Sequence, residues 1–409
     1  MKNSQFRSVV FSKDISKMSS MIIYMIAWGT MLLGYWRGIN NHIPILRNFT
    51  DELEWMIILI PLFFSLPSFA GKLRAFDYLF VLGCLLFYLL NFVLYPQNDE
   101  FLYNRLFNFA VITIPFYFVG ATIDIRDFYG VFFSISCTAI LICAFYNLFY
   151  VGSASYSGDA DVSEYNMDLA YNLLPHVLFV SWVSLRELDV WKLLIMLLGL
   201  FLLLSLGTRG PVACAILFIA IYLLFFKRTR YQKSFRIAVV LVAVLSLSFL
   251  QSFMLFMQFL LQQLGLSTRI FDKYFDDTLE ESYGRDFIRE TLLDELNIDA
   301  GVFGHGILGS YNYVDTYAHN IVLDFLFSFG LIIGPILLLG LALLLFNSFR
   351  KMRGNEEEQV FLILLIVASV IKLFFSGTFI DDTLFFFLIG YSIQHCRIKT
   401  ITHENLLRL

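Results

Sequence analysis

The stretch YAHNIVLDFLFSFGLIIG, residues 317–334, sets a histidine and an amide, His319 and Asn320, directly ahead of a long apolar run. A neutral imidazole accepts a proton from a hydroxyl group. The N-terminus of a helix lowers the pKa of such a ring and keeps it a free base. Asn320 either orients the ring, hydrogen-bonds a sugar or caps the helix, and the alternative for His319 is a plain interfacial side chain. Tyr311, Tyr313 and Tyr317 lie just upstream and offer flat surfaces for stacking on sugar rings. In SYGRDFIRETLLDEL, residues 282–296, Arg285 and Arg289 are one helical turn apart and share a face. Two adjacent guanidiniums form a fork for pyrophosphate. Glu281 and Asp286 stand at ion-pair spacing from them, so an ordinary solvated face is the competing reading. Arg209, in GTRGP at 207–211, puts a cation at the start of an apolar helix, where it takes either a lipid phosphate or the phosphate of a lipid-borne substrate. Lys372, in VIKLFFSG, is a cation inside an apolar run and calls for an ion pair or a cavity. Asp381, Asp382 and a substrate phosphate are its candidate partners.

These residues need elements to hold them. The 409 residues are 58% hydrophobic and only 15% charged, with a formal net charge of −4. The mean hydropathy is +0.73. Those values place the chain among polytopic membrane proteins and exclude a soluble nucleic-acid binder. About twelve apolar segments approach the ~20 residues that span a bilayer. They lie near 18–36, 53–70, 78–95, 107–123, 128–151, 171–185, 193–207, 210–226, 237–257, 319–346, 359–376 and 384–395. Most of the 29 Lys and Arg fall in alternate connections, including Lys72, Arg74, Arg126, the run KRTRYQKSFR at 227–236, Arg350 and Arg397. By the positive-inside rule both termini are cytoplasmic. The expected division is therefore an N-terminal bundle over 1–257, an outer subdomain over 258–318, C-terminal helices over 319–395 and a cytoplasmic tail over 396–409. The outer subdomain has a helical stripe of Ile288, Leu292 and Leu296, which Ser282 is placed to cap. It is expected to fold back over the helices.

Other patterns carry less. GHGILG at 304–309 fits G-x-G-x-x-G, but no βαβ unit surrounds it, so it reads as a flexible turn returning the outer loop to the membrane. GDADVSE at 158–164 lacks the closing glutamate of a calcium loop and reads as a solvated acidic loop. The cysteines Cys84, Cys137, Cys143, Cys214 and Cys396 have no metal-site spacing and read as reduced residues. The basic N-terminus before Met18 introduces an uncleaved first helix.

Taken in order, SLGTRGPVACAI, an outer loop carrying YGR, GVFGHGILGS and YAHNIVLDFLFSFGLIIG resemble the bacterial O-antigen polymerase (Wzy-type) and O-antigen ligase superfamily across about residues 200–334. The resemblance implies an all-α membrane-embedded glycosyltransferase of GT-C-like architecture in the bacterial inner membrane. Such an enzyme acts at the outer face on glycans carried by undecaprenyl pyrophosphate, without metal or other cofactor. Arg209 and Arg285 would hold the pyrophosphate and His319 would serve the acceptor hydroxyl. Asn320, Arg289, Lys372 and the three tyrosines are the substrate-binding candidates, and a chain-length regulator is the implied protein partner. Ligases resemble one another in a pattern that places Gly, Thr or Tyr where this chain has Ile333; here the glycine falls at 334. Polymerase is the expectation, with ligase and a flippase or transporter as alternatives.

Overall fold

The computed structural model describes residues 18–29, 50–147, 167–226, 250–266, 268, 270–271, 275, 283–298 and 303–406. The N-terminal cations, the basic run 227–236, the acidic loop 158–164, Glu281 and Ser282 lie outside these residues. Among the described residues the structure is all helical. In chain order the helices are α1 (Met18–Trp28), α2 (Thr50–Ala70), α3 (Ala75–Leu94), α4 (Asp99–Phe107), α5 (Pro115–Thr122), α6 (Ile125–Tyr146) and α7 (Met167–Glu187). They continue with α8 (Val190–Ser205), α9 (Arg209–Phe225), α10 (Leu250–Gln263), α11 (Tyr283–Ile298), α12 (Ile321–Lys351), α13 (Glu356–Ile366) and α14 (Thr383–Leu406).

Four described segments are long and apolar enough to cross a membrane: α3, the run Pro96–Thr122, α6 and α12. Shorter apolar helices are α1, the Met56–Ala70 part of α2, α8 and α9. These are the properties of a membrane α-helical protein. The expected 107–123 segment belongs to the longer run, in which α4 and α5 are joined by a π-helical stretch, Asn108–Thr113. The apolar run around 171–185 forms α7, whose residues Ala170, Tyr171 and Leu173 to Leu185 are all buried.

By packing, the chain forms two compact units: residues 1–129 with 283–409, and residues 130–282. In the second unit, α7 packs on α8 and α9. In the first, α14 lies along α5 at backbone contact. A Cβ at Gly120 would stand 2.0 Å from the Phe387 carbonyl oxygen, and one at Gly390 would stand 2.1 Å from that of Tyr117. This is the small-residue packing that lets membrane helices approach without a hydrophobic driving force.

The feature that positions the site is a break in α12. Gly330 has φ +79° and ψ 175°, so the helix is two pieces meeting at a kink. Carbonyls freed by the break are taken by the loop before the helix: His305 N donates to Phe327 O at 2.7 Å, and Gly306 N to Ser328 O at 3.1 Å. Gly304 sits at φ +73°, and a Cβ there would lie 2.4 Å from Gly330 N, so only glycine fits. The same loop is clamped from α3 and its exit. Asn91 Oδ1 accepts from Ile307 N at 2.8 Å, and Asn98 Nδ2 donates to the carbonyls of His305 at 2.8 Å and Ile307 at 3.1 Å. GHGILG is therefore a turn, but a fixed one: residues 305–310 are buried. Its flexibility, expected from three glycines, is removed by hydrogen bonds to residues far away in the chain. Asn98→Ala should destabilise the protein by about 1–3 kcal/mol, because two buried carbonyls lose their donor. Thermal unfolding in detergent checks this; an unchanged midpoint would mean that the clamp contributes nothing.

Candidate active site

The stripe expected at Ile288, Leu292 and Leu296 forms as its spacing requires. Helix α11 buries Leu292 and Leu296, with Ile288 beside them, against Ala318, Leu323 and Phe327 at the start of α12. That packing turns the polar side of α11 away from α12, leaving Arg285 and Arg289 exposed. Arg289 is 61% exposed and pairs with Asp286 at 3.4 Å, which is the solvated-face arrangement. Arg285 makes no ion pair among the described residues, and its charge acts on His319.

Asn320 caps α12: its Oδ1 accepts from Val322 N at 2.9 Å and Leu323 N at 3.2 Å. Its carbonyl oxygen is thus committed to the helix. His319 immediately precedes the cap with φ +52°, a left-handed conformation that a non-glycine residue adopts at a cost of order ~1–3 kcal/mol. Leu308 and Asp315 share this sign of φ, so three such residues fall within one short segment. The His319 ring is half-buried, lies 4.2 Å centroid-to-centroid from Tyr317, and its buried Nδ1 has no hydrogen-bond partner among the described residues. Burial, first, and the Arg285 charge, second, lower its pKa from 6.5 to about 4, with the Phe375 backbone pulling the other way. The ring is a free base, as expected, though burial and Arg285 are what make it so.

Other groups of the first unit make contacts of their own. Tyr317 Oη is 3.0 Å from Ser376 Oγ. Tyr311 Oη accepts from Arg105 Nη2 at 3.1 Å, and the Arg105 guanidinium lies 5.7 Å from the ring centroid. Arg105 is itself paired with Asp381. Burial raises the Tyr311 pKa, and Arg105 opposes that shift. Tyr313 faces elsewhere: its hydroxyl is 3.1 Å from His305 Nδ1, in the clamped loop. Lys372 Nζ pairs with Asp382 Oδ2 at 2.7 Å, one of the partners that the sequence offers. Asp382 also caps α14 through Phe385 N at 2.9 Å. The Thr378 hydroxyl donates to buried Asp324 Oδ2 at 2.7 Å, fixing the 376–382 segment to α12.

The first unit thus links Arg285, His319, Tyr317 and Ser376, sets Tyr311 beside Arg105 and Asp381, and holds Lys372 on Asp382. Sequence reasoning missed Arg105, although a cation set between apolar segments was a usable signal. It also missed Asn91 and Asn98, amides in or beside an apolar run. Arg209 belongs to the second unit. It is the exposed first residue of α9, after a turn in which Gly207 has φ +71°, with Pro211 in the first turn of the helix. A cation at a helix N-terminus opposes the dipole, so the sequence puts it there at a cost.

Lys372→Met should destabilise the protein by about 3–5 kcal/mol, because Asp382, 3% exposed, keeps its charge without a partner. Adding Asp382→Asn should recover most of that loss in an unfolding measurement. If the stable double variant is fully active, Lys372 serves structure alone.

Compared with family models, with curated proteins and with solved structures, the chain matches none.

Proposed function

We propose that this protein is a membrane-embedded inverting glycosyltransferase of the O-antigen polymerase kind. It joins oligosaccharide repeat units carried on undecaprenyl pyrophosphate at the outer face of the bacterial inner membrane. The observation that carries the reading is a half-buried His319 whose pKa is lowered by burial and by the charge of Arg285, which has no ion pair among the described residues, in the unit that also holds Tyr311 and Tyr317. The ordered motifs that resemble the O-antigen polymerase and ligase superfamily support it, and Ile333 favours polymerase over ligase.

In the proposed reaction the acceptor hydroxyl oxygen attacks the anomeric carbon of the donor glycan. The bond from that carbon to the pyrophosphate oxygen breaks, and its electron pair leaves with the lipid pyrophosphate. The hydroxyl proton passes to His319 as the new C–O bond forms, because a neutral imidazole is too weak a base to ionise a sugar hydroxyl beforehand. Arg285 stabilises the departing charge. Binding of the pyrophosphate offsets the Arg285 charge and raises the basicity of His319 when a proton must be taken. Tyr311 and Tyr317 hold sugar, and Arg105 with Asp381 fixes Tyr311.

The glycan profile of a deletion strain tests the assignment. A polymerase deletion leaves core carrying a single repeat unit. Loss of even that unit identifies a ligase, and unchanged glycan chains overturn the transferase reading.

A further inference from the structure

At the opposite end of the first unit, where α3 begins and α5 ends, a cavity of about 370 Å³ opens among Lys72, Arg74, Asp77, Thr122, Asp124 and Arg397. That volume lies within the ~300–1,000 Å³ of small-ligand sites. Part of its polar lining is already satisfied. Arg397 Nη1 contacts both oxygens of Asp77 at 2.7 and 2.8 Å. Asp77, 1% exposed, also accepts from the Tyr117 hydroxyl at 2.7 Å and Arg74 N at 2.8 Å. This pair forms a neutral, rigid wall.

The remaining charges are not matched. Lys72 Nζ donates to the Thr122 carbonyl at 3.0 Å, a neutral acceptor, and has no ion-pair partner among the described residues. The Arg74 guanidinium has no ion-pair partner among the described residues. The Asp124 carboxylate accepts from Arg126 N at 3.0 Å and likewise has no cation at ion-pair distance among them. Two cations and one carboxylate therefore line one cavity without an ion pair among the described residues. At its rim the first turns of α3 present Phe76 and Leu79, 53% and 64% exposed, so apolar surface begins where the charges end.

We propose that this cavity holds the headgroup of a membrane phospholipid of the ethanolamine type. Lys72 and Arg74 take its phosphate, Asp124 takes its ammonium group, and the acyl chains run down the exposed face of α3. The charge pattern of the headgroup, an anion with a cation one short linker away, complements that of the cavity. The site lies at the far end of α3 from the clamped loop, and its occupancy is independent of whether His319 performs transfer.

The test is native mass spectrometry of the full-length protein in mild detergent. The protein is titrated with phosphatidylethanolamine and phosphatidylglycerol of matched chains, and with glycerol 3-phosphate as a soluble phosphate. Wild type should retain phosphatidylethanolamine, and Lys72→Gln/Arg74→Gln should bind it roughly tenfold or more weakly. Asp124→Asn should weaken phosphatidylethanolamine more than phosphatidylglycerol. Lys192→Gln, which removes a cation of the second unit, should change neither. Both residues of the double variant are exposed, and an unchanged lipid-free unfolding temperature verifies the fold; should it nevertheless misfold, Asp124→Asn alone decides. Equal retention by wild type and the charge variants overturns the proposal, as does an equal loss in Lys192→Gln. Displacement of the lipid by glycerol 3-phosphate alone makes this a small-anion site and overturns it too.

Discussion

Purified His319→Gln protein should fold and bind lipid-linked donor, yet polymerise about 10²–10⁴ times more slowly than wild type, the usual range for loss of a general base. Glutamine retains a hydrogen bond but no basicity. In wild type, kcat/KM should stay flat from pH 8 downward and fall only as the pH approaches about 4, where free His319 takes up a proton. The acid limb of kcat should lie higher, since bound pyrophosphate offsets the Arg285 charge. Arg285→Gln should move the kcat/KM limb upward, towards but not as far as 6.5, because burial is the larger cause and remains. Near-normal turnover by His319→Gln would exclude the general-base role, and an inflection at 6.5 in wild type would show that burial and Arg285 do not lower the pKa of the ring. Stability follows the same linkage. Unfolded His319 binds a proton near 6.5 and the folded ring only near 4. Its contribution is therefore fully present above about 6.5 and is lost as pH falls towards 4.

Arg285→Lys should reduce turnover by about 10²–10³, the loss expected when one group stabilising a departing charge is removed. Lysine keeps the charge but not the planar fork that grips two oxygens at once. Arg209→Lys tests separately the role that the resemblance implies for the first residue of α9. Arg289→Lys should fall far less, because Asp286 already engages that side chain. Steady-state transfer on a synthetic lipid pyrophosphate measures all three. Full activity in Arg285→Lys would remove pyrophosphate recognition by Arg285 from the proposal.

Much of the site's support could be read from local pattern. The stripe of Ile288, Leu292 and Leu296 packs as its helical period requires. Asn320 caps a helix, Lys372 meets Asp382, and GTRGP starts one helix after a tight turn. Each of these is decided within a few residues of sequence. What was not legible is decided across the chain. The fixing of GHGILG depends on Asn91 and Asn98, and nothing in the hexapeptide announces them. Gly330 sits in an apolar run whose pattern continues on both sides, so the break is invisible until the loop that fills it is seen. Arg105 acquires meaning only when Asp381 and Tyr311 fold beside it.

The clamp at Gly330 also has a consequence for how the protein is made. A hydrocarbon environment offers no partner to a bare carbonyl, and each one left exposed there costs several kcal/mol. The carbonyls of Phe327 and Ser328 are therefore a debt that α12 carries as it leaves the insertion machinery. Residues 304–306, translated just before it, are what settle that debt. Insertion of this helix and docking of the preceding loop are then one event in biogenesis. A chain with an altered 304–306 turn should be recognised by membrane quality control and degraded, so that its defect is read as missing protein rather than as slow enzyme.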